Sequence, residues 1–460
     1  MEAFSAMKNI HFIGIGGISM SGIAQILSAR GYRVTGSDLK ETEITEHLIS
    51  LGIPVAIGQR AENITEDMDT IVYTAAVKED NEELRAARAL AERVPGTRVI
   101  ERAVLLGDLF DEYGVPVAVA GTHGKTSTSS MISYIYMQAG KDPTVAIGGI
   151  LQNLGENFRV GNSSYMIIEA CEYMDSFLHF HPKVSVITNI EAEHLDYFQN
   201  FDNIKASFRK YVEGMRPAGT LIVGKELAGL FSDFTGRLWT VSLKAPADIL
   251  AADITPHMDS VGASFDVIFK GENLGRVDLY VPGHHLIYDA LCAIGAALAD
   301  GIAFDDIKKG IASYRSTKKR FEFKGQVGGV TVVDDYAHHP SEIRATLEAA
   351  HEVPHRELYV VFQPHTFSRT KSFLPQFAEA LSAADHVVLA KIFPAREKDP
   401  GDISSQDIAD LMTEKGCDAT YIPDFDGIEN FLLKNLSPGD LLITMGAGDV
   451  VSIGESLLGH

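Results

Sequence analysis

Cysteine is scarce in this chain of 460 residues: Cys171, Cys292 and Cys417 are odd in number and lie far apart. That pattern excludes a disulfide framework and a clustered zinc site, and it fits a reducing cytoplasm. No apolar run approaches the ~18 residues that read as a membrane span, and Met1 to Lys8 lack the basic-then-apolar order of a signal peptide. Positive charge is short as well, 40 Lys and Arg against 62 Asp and Glu, for a formal net charge of −22. So acidic a chain repels a nucleic-acid backbone, which argues against nonspecific binding of that kind. Small anions are not excluded, because a few lysines and glycine turns can hold one locally. Short-period repeats and low-complexity tracts are absent too.

The remainder is ordinary for a globular chain, 45% hydrophobic and 22% charged, long enough for roughly three domains. Its most informative segment is Gly121-Thr122-His123-Gly124-Lys125-Thr126. An apolar strand-like run, Val117 to Ala120, precedes it, and a helix-like stretch from Ser127 to about Gln138 follows. A glycine turn between strand and helix crowds backbone N–H groups onto a phosphate. The lysine adds a point charge for the β/γ-phosphates, and the threonine hydroxyl can hold Mg²⁺. The segment departs from G-x-x-x-x-G-K-[ST], since Val119 stands where the first glycine belongs. Its context is nonetheless the one the motif demands, so ATP is the expected cosubstrate.

A first block opens with the strand His11-Phe12-Ile13, the loop Gly14 to Ser19 and a helix from Met20 to Ala29. Asp38 lies about twenty residues on, at the end of a second strand, where a ribose-binding acid belongs. Alternating strands and helices imply a parallel, Rossmann-like sheet with a diphosphate on the first helix, either of NAD or of a UDP-sugar. In the second block two strands run into polar tips, Glu169-Ala170-Cys171-Glu172 and Asn189 to Asp196. Both belong at the carboxyl ends of a parallel sheet, beside the phosphate loop. Strand-like sequence from Ile249 to Val281 follows, then His284-His285 and an alanine-rich helix from Asp289 to Ala299. A basic stretch, Tyr314 to Glu322, introduces the third block. There, strands ending at Asp334-Asp335, Phe362-Gln363, Ala390 and Thr444 describe a second Rossmann-like unit.

Three α/β blocks with the phosphate loop in the middle one resemble the Mur ligase family. The motifs that carry the resemblance are His11 to Gly17, Gly121 to Thr126, Glu169 to Glu172, Asn189-Ile190-Glu191 with His194-Leu195-Asp196, Asp334 to Pro340, and Phe362 to His365 with Ser368-Arg369-Thr370. The resemblance implies a UDP-sugar domain over 1–108, an ATP-binding domain over 109–318 and an amino-acid-binding domain over 319–460. It implies that ATP phosphorylates the carboxylate of UDP-N-acetylmuramate and that an amino acid, L-alanine on the opening glycine tract, attacks the acyl phosphate during peptidoglycan precursor synthesis. Monomer and homodimer are both compatible with it.

Carried over residue by residue, Gly121, Thr122, His123, Gly124, Lys125, Thr126 and Ser127 would cradle the triphosphate. Thr126, Glu172 and His194 would hold Mg²⁺, Arg320 would reach the γ-phosphate, and His285 and Asp335 would contact the nucleoside. Gly16, Gly17, Ile18, Asp38, Thr74, Ala75 and Arg102 would surround the UDP-sugar. His339 and Arg369 would line the amino-acid pocket; Thr366 stands where some members have arginine, which leaves Arg369 to take the amino-acid carboxylate. One departure concerns the base: the family usually has His-Asn-x-x-Asn where this chain has His285-Leu286-Ile287-Tyr288-Asp289. Leucine neither donates nor accepts and an ionised aspartate only accepts, so relaxed nucleotide selectivity is expected. Three other readings differ in what they predict: a ligase of a recycled peptide, an NAD-dependent oxidoreductase that leaves the phosphate loop without a task, and a nucleotide-sugar-binding regulator that releases no ADP.

Overall fold

The computed structural model describes residues 7–74, 76–151, 156–244, 246–257, 261–315 and 318–459. Its architecture is α/β with three sheets. The first holds β1 (Asn9–Ile13), β2 (Arg33–Asp38), β3 (Val55–Ile57), β4 (Thr70–Tyr73) and β5 (Arg98–Glu101) in the order β3-β2-β1-β4-β5, all parallel. The chain steps outward through β2 and β3, then returns to the other side of β1. That reversal opens a crevice at the carboxyl end of β1, where the glycine loop lies.

The second sheet repeats the device. β6 (Val115–Ala120), β7 (Thr144–Leu151), β8 (Glu156–Arg159), β9 (Tyr165–Glu169), β10 (Val184–Ile187), β11 (Thr220–Gly224), β12 (Arg237–Ser242), β13 (Ile249–Pro256), β14 (Ala263–Phe269) and β15 (Glu272–Leu279) are ordered β15-β14-β13-β12-β11-β10-β6-β9-β7-β8. β6 lies parallel between β9 and β10. The strands that precede β10 extend to one side of it and β10 to β12 to the other, so the loop after β6 sits at the switch point. The expected strand-rich stretch from Ile249 to Val281 is the run β13 to β15.

The third sheet comprises β16 (Glu322–Val327), β17 (Val330–Asp335), β18 (Leu358–Phe362), β19 (His386–Leu389), β20 (Ala419–Tyr421) and β21 (Leu441–Met445), ordered β16-β17-β21-β18-β19-β20. Only β16 pairs antiparallel. β17, β18, β19 and β21 are continuous apolar runs because helices cover both faces, which leaves no polar side to write into the pattern. By internal contacts the chain forms two compact units: Met1–Ala252 with Asp266–Val277 and Asp289–Ser313, and Asp253–Phe265 with Asp278–Tyr288 and Tyr314–His460.

Several helices begin earlier than expected. The glycine-loop helix spans Ile18–Ala29, the phosphate-loop helix Lys125–Gln138, the alanine-rich helix His284–Ala299, and the helix expected from Ser341 starts at Pro340. In the first two a glycine, Gly17 or Gly124, serves as N-cap, so the loop's own residues form the first turn. The phosphate-loop helix is buried along Ser127 to Tyr136. Gly310, on the helix Phe304–Ser313, allows close contact: a Cβ there would meet the Ile135 Cα at 2.5 Å. No described helix is long and apolar enough to cross a membrane.

Candidate nucleotide and nucleotide-sugar site

At the end of β6 the chain turns through Gly121 (φ 131°) and Gly124 (φ 79°), values that L side chains avoid. A Cβ on Gly121 would lie 2.1 Å from the Thr188 Oγ1, and one on Gly124 would lie 2.5 Å from the Asp289 Oδ1. The loop is laced to the end of β10. The Thr122 N–H donates to the Asn189 carbonyl (3.1 Å) and the His123 N–H to the Asn189 Oδ1 (2.9 Å). The His123 carbonyl accepts from the Thr188 hydroxyl (2.5 Å), and the Thr122 Oγ1 accepts from the Glu191 N–H (2.9 Å). The loop is thus preformed by its flanking strand rather than shaped by what it binds.

Lys125 folds over this loop. Its ammonium donates to the carbonyls of Gly121 (2.5 Å) and Thr122 (3.0 Å) and to Glu172 Oε2 (3.0 Å). Burial alone would depress its pKa, but Glu172, Cys171 and Glu169 outweigh that and hold it above the ordinary value, so it stays an ammonium. Glu172 is buried, the carboxylate counter-ion of that charge. Glu169, the last residue of β9, accepts instead from the hydroxyl of Ser129 (3.2 Å), one turn beyond Thr126. Ser127 is buried within the helix. His194 is half-buried, caps the short helix Leu195–Phe198 in a left-handed conformation (φ 53°), and lies 4.6 Å from the Tyr173 ring.

In the first sheet the turn is built by the backbone. The Gly14 and Ile15 N–H groups donate to the Ser37 carbonyl (2.8 and 2.9 Å), and the Gly16 N–H donates to Asp38 Oδ2 (2.8 Å). Asp38 therefore orders the turn itself. Ile18 stands exposed at the helix start. Arg102, first residue of the helix Arg102–Asp111, donates to the Ser19 Oγ (2.9 Å), which puts a cation across the start of the glycine-loop helix. A cavity of about 280 Å³ runs from here toward the end of β9, lined among others by Ile18, Ser19, Arg102, Asn157, Glu169 and Cys171. The Thr74 Oγ1 accepts from the Ala76 N–H (3.3 Å) just past β4; Ala75 lies outside the described residues.

In the third sheet, Asp335 at the end of β17 is buried. It accepts from the Phe321 N–H (2.6 Å), the Ala337 N–H (2.8 Å) and the Thr346 hydroxyl (3.1 Å). What it orders is the Arg320 loop, whose neighbours Lys319 (φ 63°) and Phe321 (φ 46°) are both left-handed. Arg320 lies over the Tyr336 ring (5.6 Å) and 3.5 Å from Glu342 Oε1. Glu342, absent from the sequence-derived candidates, also accepts from the N–H groups of His338 (3.0 Å) and His339 (3.3 Å). Its signal was present as a capping box, with Glu342 three residues after the N-cap His339. Arg369 donates to the His365 Nδ1 (3.0 Å), which places the imidazole proton on Nε2 because guanidinium only donates. Beside them a cavity of about 500 Å³ at the carboxyl ends of β18 and β19 is lined by Gln363, Phe367, Lys391, Phe393 and Glu397 among others.

Asp334, next to that cluster, is buried with its carboxyl on the Thr444 hydroxyl (2.7 Å). Burial raises its pKa to about 7, with Thr444 opposing and Asp335 reinforcing the shift. A folded value above the unfolded one means the folded state binds the extra proton, so stability falls as pH climbs from the ordinary carboxyl range through about 7. Unfolding followed at pH 5 and pH 8 is expected to show this loss, and Asp334→Asn is expected to flatten it.

Leu286 and Asp289, the two departures from the family's His-Asn-x-x-Asn, are both buried. Leu286 is core packing, and the Asp289 carboxylate fills the space that a Cβ on Gly124 would need. His285 is exposed on the first turn of its helix.

Three family models cover most of the chain: "Mur ligase family, catalytic domain" over residues 9–113, "Mur ligase middle domain" over 119–297 and "Mur ligase, glutamate ligase domain" over 319–448. A UDP-N-acetylmuramate–L-alanine ligase of Agathobacter rectalis is 49% identical over 458 residues, covering 99% of this chain and 98% of the relative. One from Caldanaerobacter subterraneus is 46% identical over 455 residues, covering 98% and 97%. The crystal structure of UDP-N-acetylmuramate-alanine ligase from Thermotoga maritima superposes with a TM-score of 0.81 at 28% identity, covering 98% of each chain. A murein peptide ligase of Psychrobacter arcticus shares the fold, with a TM-score of 0.68 at 24% identity over 98% of both chains. With a phosphate loop at one switch point, a glycine turn at another and these matches along nearly its whole length, the chain belongs to the Mur ligase family.

Proposed function

We propose that this protein joins L-alanine to the carboxylate of UDP-N-acetylmuramate through an acyl phosphate, at the expense of ATP, in peptidoglycan precursor synthesis. The observation that carries the reading is the phosphate loop with its buried Lys125–Glu172 pair, in a chain 49% identical to a ligase of that name over 99% of its length. A carboxylate is a poor electrophile. Transfer of the γ-phosphoryl to its oxygen makes a good leaving group, the alanine amine then attacks the carbonyl carbon, and the tetrahedral adduct expels orthophosphate.

The protein's own work is to position the reactants and to neutralise crowded negative charge. Loop N–H groups and Lys125 hold the phosphates. The Ser19–Arg102 corner suits a diphosphate, and the cavity leading to Glu169 gives the sugar acid a path toward the loop. Arg369 with the His365 and His339 side offers a fork for the alanine carboxylate. Asp335 orders the Arg320 loop within its own unit through the Phe321 N–H.

The donor set fits Mg²⁺: a threonine hydroxyl and carboxylates are hard oxygen ligands, while an imidazole is a less usual one. Thr126, Glu172 and His194 would hold it, with Glu169 as a further carboxylate on the same side of the loop. Bound there, it would offset charge on the phosphates. Since Glu172 is already paired with Lys125, Glu169→Gln is expected to raise the Mg²⁺ concentration that half-activates turnover more than Glu172→Gln does, and a magnesium titration of both variants checks this.

Asp289 stands beside the Gly124 turn, so its side chain bears on how the loop receives phosphate. Asp289→Asn is expected to lower the KM for ATP several-fold with little change in kcat, and comparison of ATP with GTP shows whether selectivity sharpens too. The reading as a whole is tested by ADP release with UDP-N-acetylmuramate, Mg²⁺ and, in turn, L-alanine, L-serine, glycine and a muropeptide tripeptide. L-alanine is expected to give the highest kcat/KM; preference for the tripeptide, or ADP release indifferent to the amino acid, would count against it.

A further inference from the structure

The backbone that follows β9 takes a conformation that L residues avoid. Met174 (φ 54°, ψ 31°) and Asp175 (φ 57°, ψ 20°) are consecutive left-handed residues immediately beyond Glu172 and Tyr173. His194 (φ 53°) is left-handed too in the segment after β10, and Gln199 there has a positive φ of 68°. Such residues persist only where their surroundings over-determine them, and they gather at functional sites. Here the two segments over-determine each other through one side chain. Asp175 Oδ2 accepts from the Tyr197 hydroxyl at 2.8 Å, and its Oδ1 accepts from the Ser207 hydroxyl. The Asp175 N–H donates to the Glu172 carbonyl and the Tyr197 N–H to the His194 carbonyl, each at 3.0 Å. The Tyr173 ring closes the other side, 4.6 Å from His194 and 6.2 Å from Tyr197. Ser207 belongs to the helix Phe201–Glu213, anchored by Phe208 against Phe177 (5.0 Å), so the bridge is tied to the core.

We propose that Asp175 is a positioning residue for phosphoryl transfer, its carboxylate fixing the Glu172 side of the site against the His194 side. It lies three residues from Glu172, and its partner Tyr197 lies three residues from His194. Neither Asp175 nor Tyr197 needs to touch a substrate to act. A carboxylate suits the task because it accepts from two hydroxyls at once, whereas an amide offers one acceptor oxygen and turns donors toward the other hydroxyl. Misplacement of reacting groups by an ångström costs about 100-fold in rate, so a spacing residue acts on kcat rather than on substrate affinity. The inference rests on the ligase reading above.

The test compares native enzyme, Asp175→Asn, Tyr197→Phe and the double variant. The expected result for Asp175→Asn is a kcat lower by about 30-fold, with KM values for UDP-N-acetylmuramate and ATP within about threefold. Tyr197→Phe is expected to fall less, and the double variant no further than Asp175→Asn, because both remove the same bridge. Calorimetric titration of ADP with Mg²⁺ into the resting protein is expected to show an affinity within about threefold of native. Melting temperatures in the absence of ligands are expected to stay close to native. The proposal is overturned if Asp175→Asn keeps its kcat within twofold, if the two single effects multiply, or if melting temperature and kcat fall together in both single variants. Native enzyme that releases no ADP with L-alanine would overturn the ligase reading and this inference together; native turnover beside an unaffected variant would overturn this inference alone.

Discussion

Lys125→Ala is expected to reduce ADP formation by about 10³-fold while leaving UDP-sugar binding nearly native. Its ammonium sits 2.5 to 3.0 Å from two loop carbonyls and the Glu172 carboxylate, and two separate losses follow from deleting it. The first is electrostatic: removing one preorganised donor from developing oxyanion charge costs about 10²–10³-fold in rate. The second is the buried Glu172 carboxylate, which would lose its cation and turn repulsive toward phosphate. Lys125→Arg is not expected to rescue, since a planar fork does not reproduce a compact ammonium bonded in three directions. Because its neighbours hold the pKa of Lys125 above the usual lysine value, the lysine stays charged through the neutral range and adds no limb to the pH–rate profile there. Turnover within tenfold of native in Lys125→Ala would remove the phosphate loop from the mechanism.

The loops at the sheet switch points were legible because strand ends announce themselves. Val117 to Ala120 followed by two glycines, a lysine and a threonine has few structural solutions, and the polar tips after β9 and β10 fall on either side of the loop as parallel order requires. The glycine turn after β1 and the strand-rich run from Ile249 were equally plain. What stayed hidden depends on side chains from distant segments. Nothing local says that Asp38 would spend its carboxylate on the Gly16 N–H, or that Asp335 would bond to the Phe321 N–H. A carboxylate near a glycine turn reads as a ligand contact in sequence, yet the backbone donors of the turn itself compete for it. Glu169 and Glu172 were likewise indistinguishable by spacing, and only the fold gives one to Lys125 and the other to Ser129. The helix starting at His284 was read too late because His284-His285 carry no helical signal, whereas Gly283 (φ 109°) frees the preceding turn. Strands such as β8, Glu-Asn-Phe-Arg, are too polar to stand out before their partner is known.

Glu83→Ala is expected to destabilise the first sheet by several kcal/mol, because each buried donor left without its acceptor costs about 1–3 kcal/mol. Glu83 is fully buried on the helix Glu82–Arg93, an unusual place for a carboxylate. Its Oε1 faces the His11 Nε2 at 2.8 Å and accepts from the Asn63 amide at 3.2 Å, while its Oε2 accepts from the Ser37 hydroxyl at 2.6 Å. His11 closes the network through Nδ1 and the Thr35 hydroxyl at 2.8 Å. An ionised carboxylate only accepts, so the Nε2 of His11 carries a proton. Deleting the acid leaves that N–H, the amide and a hydroxyl without the acceptor they share, which is why the cost exceeds that of one hydrogen bond. Glu83→Gln keeps shape and one acceptor, and is expected to cost less than half as much. The single tryptophan, Trp239, lies in β12 of another sheet, so its fluorescence is the wrong probe. Hydrogen exchange over β1 and β2 reads the change directly. The consequence also reaches the ligand: Ser37 is the residue whose carbonyl accepts from the Gly14 and Ile15 N–H groups. Freeing its side chain loosens the turn proposed to meet the diphosphate, so the KM for UDP-N-acetylmuramate is expected to rise in Glu83→Ala while the KM for ATP does not. Unchanged exchange in β1 and β2 would mean that this buried acid is dispensable and that the turn is held by its backbone alone.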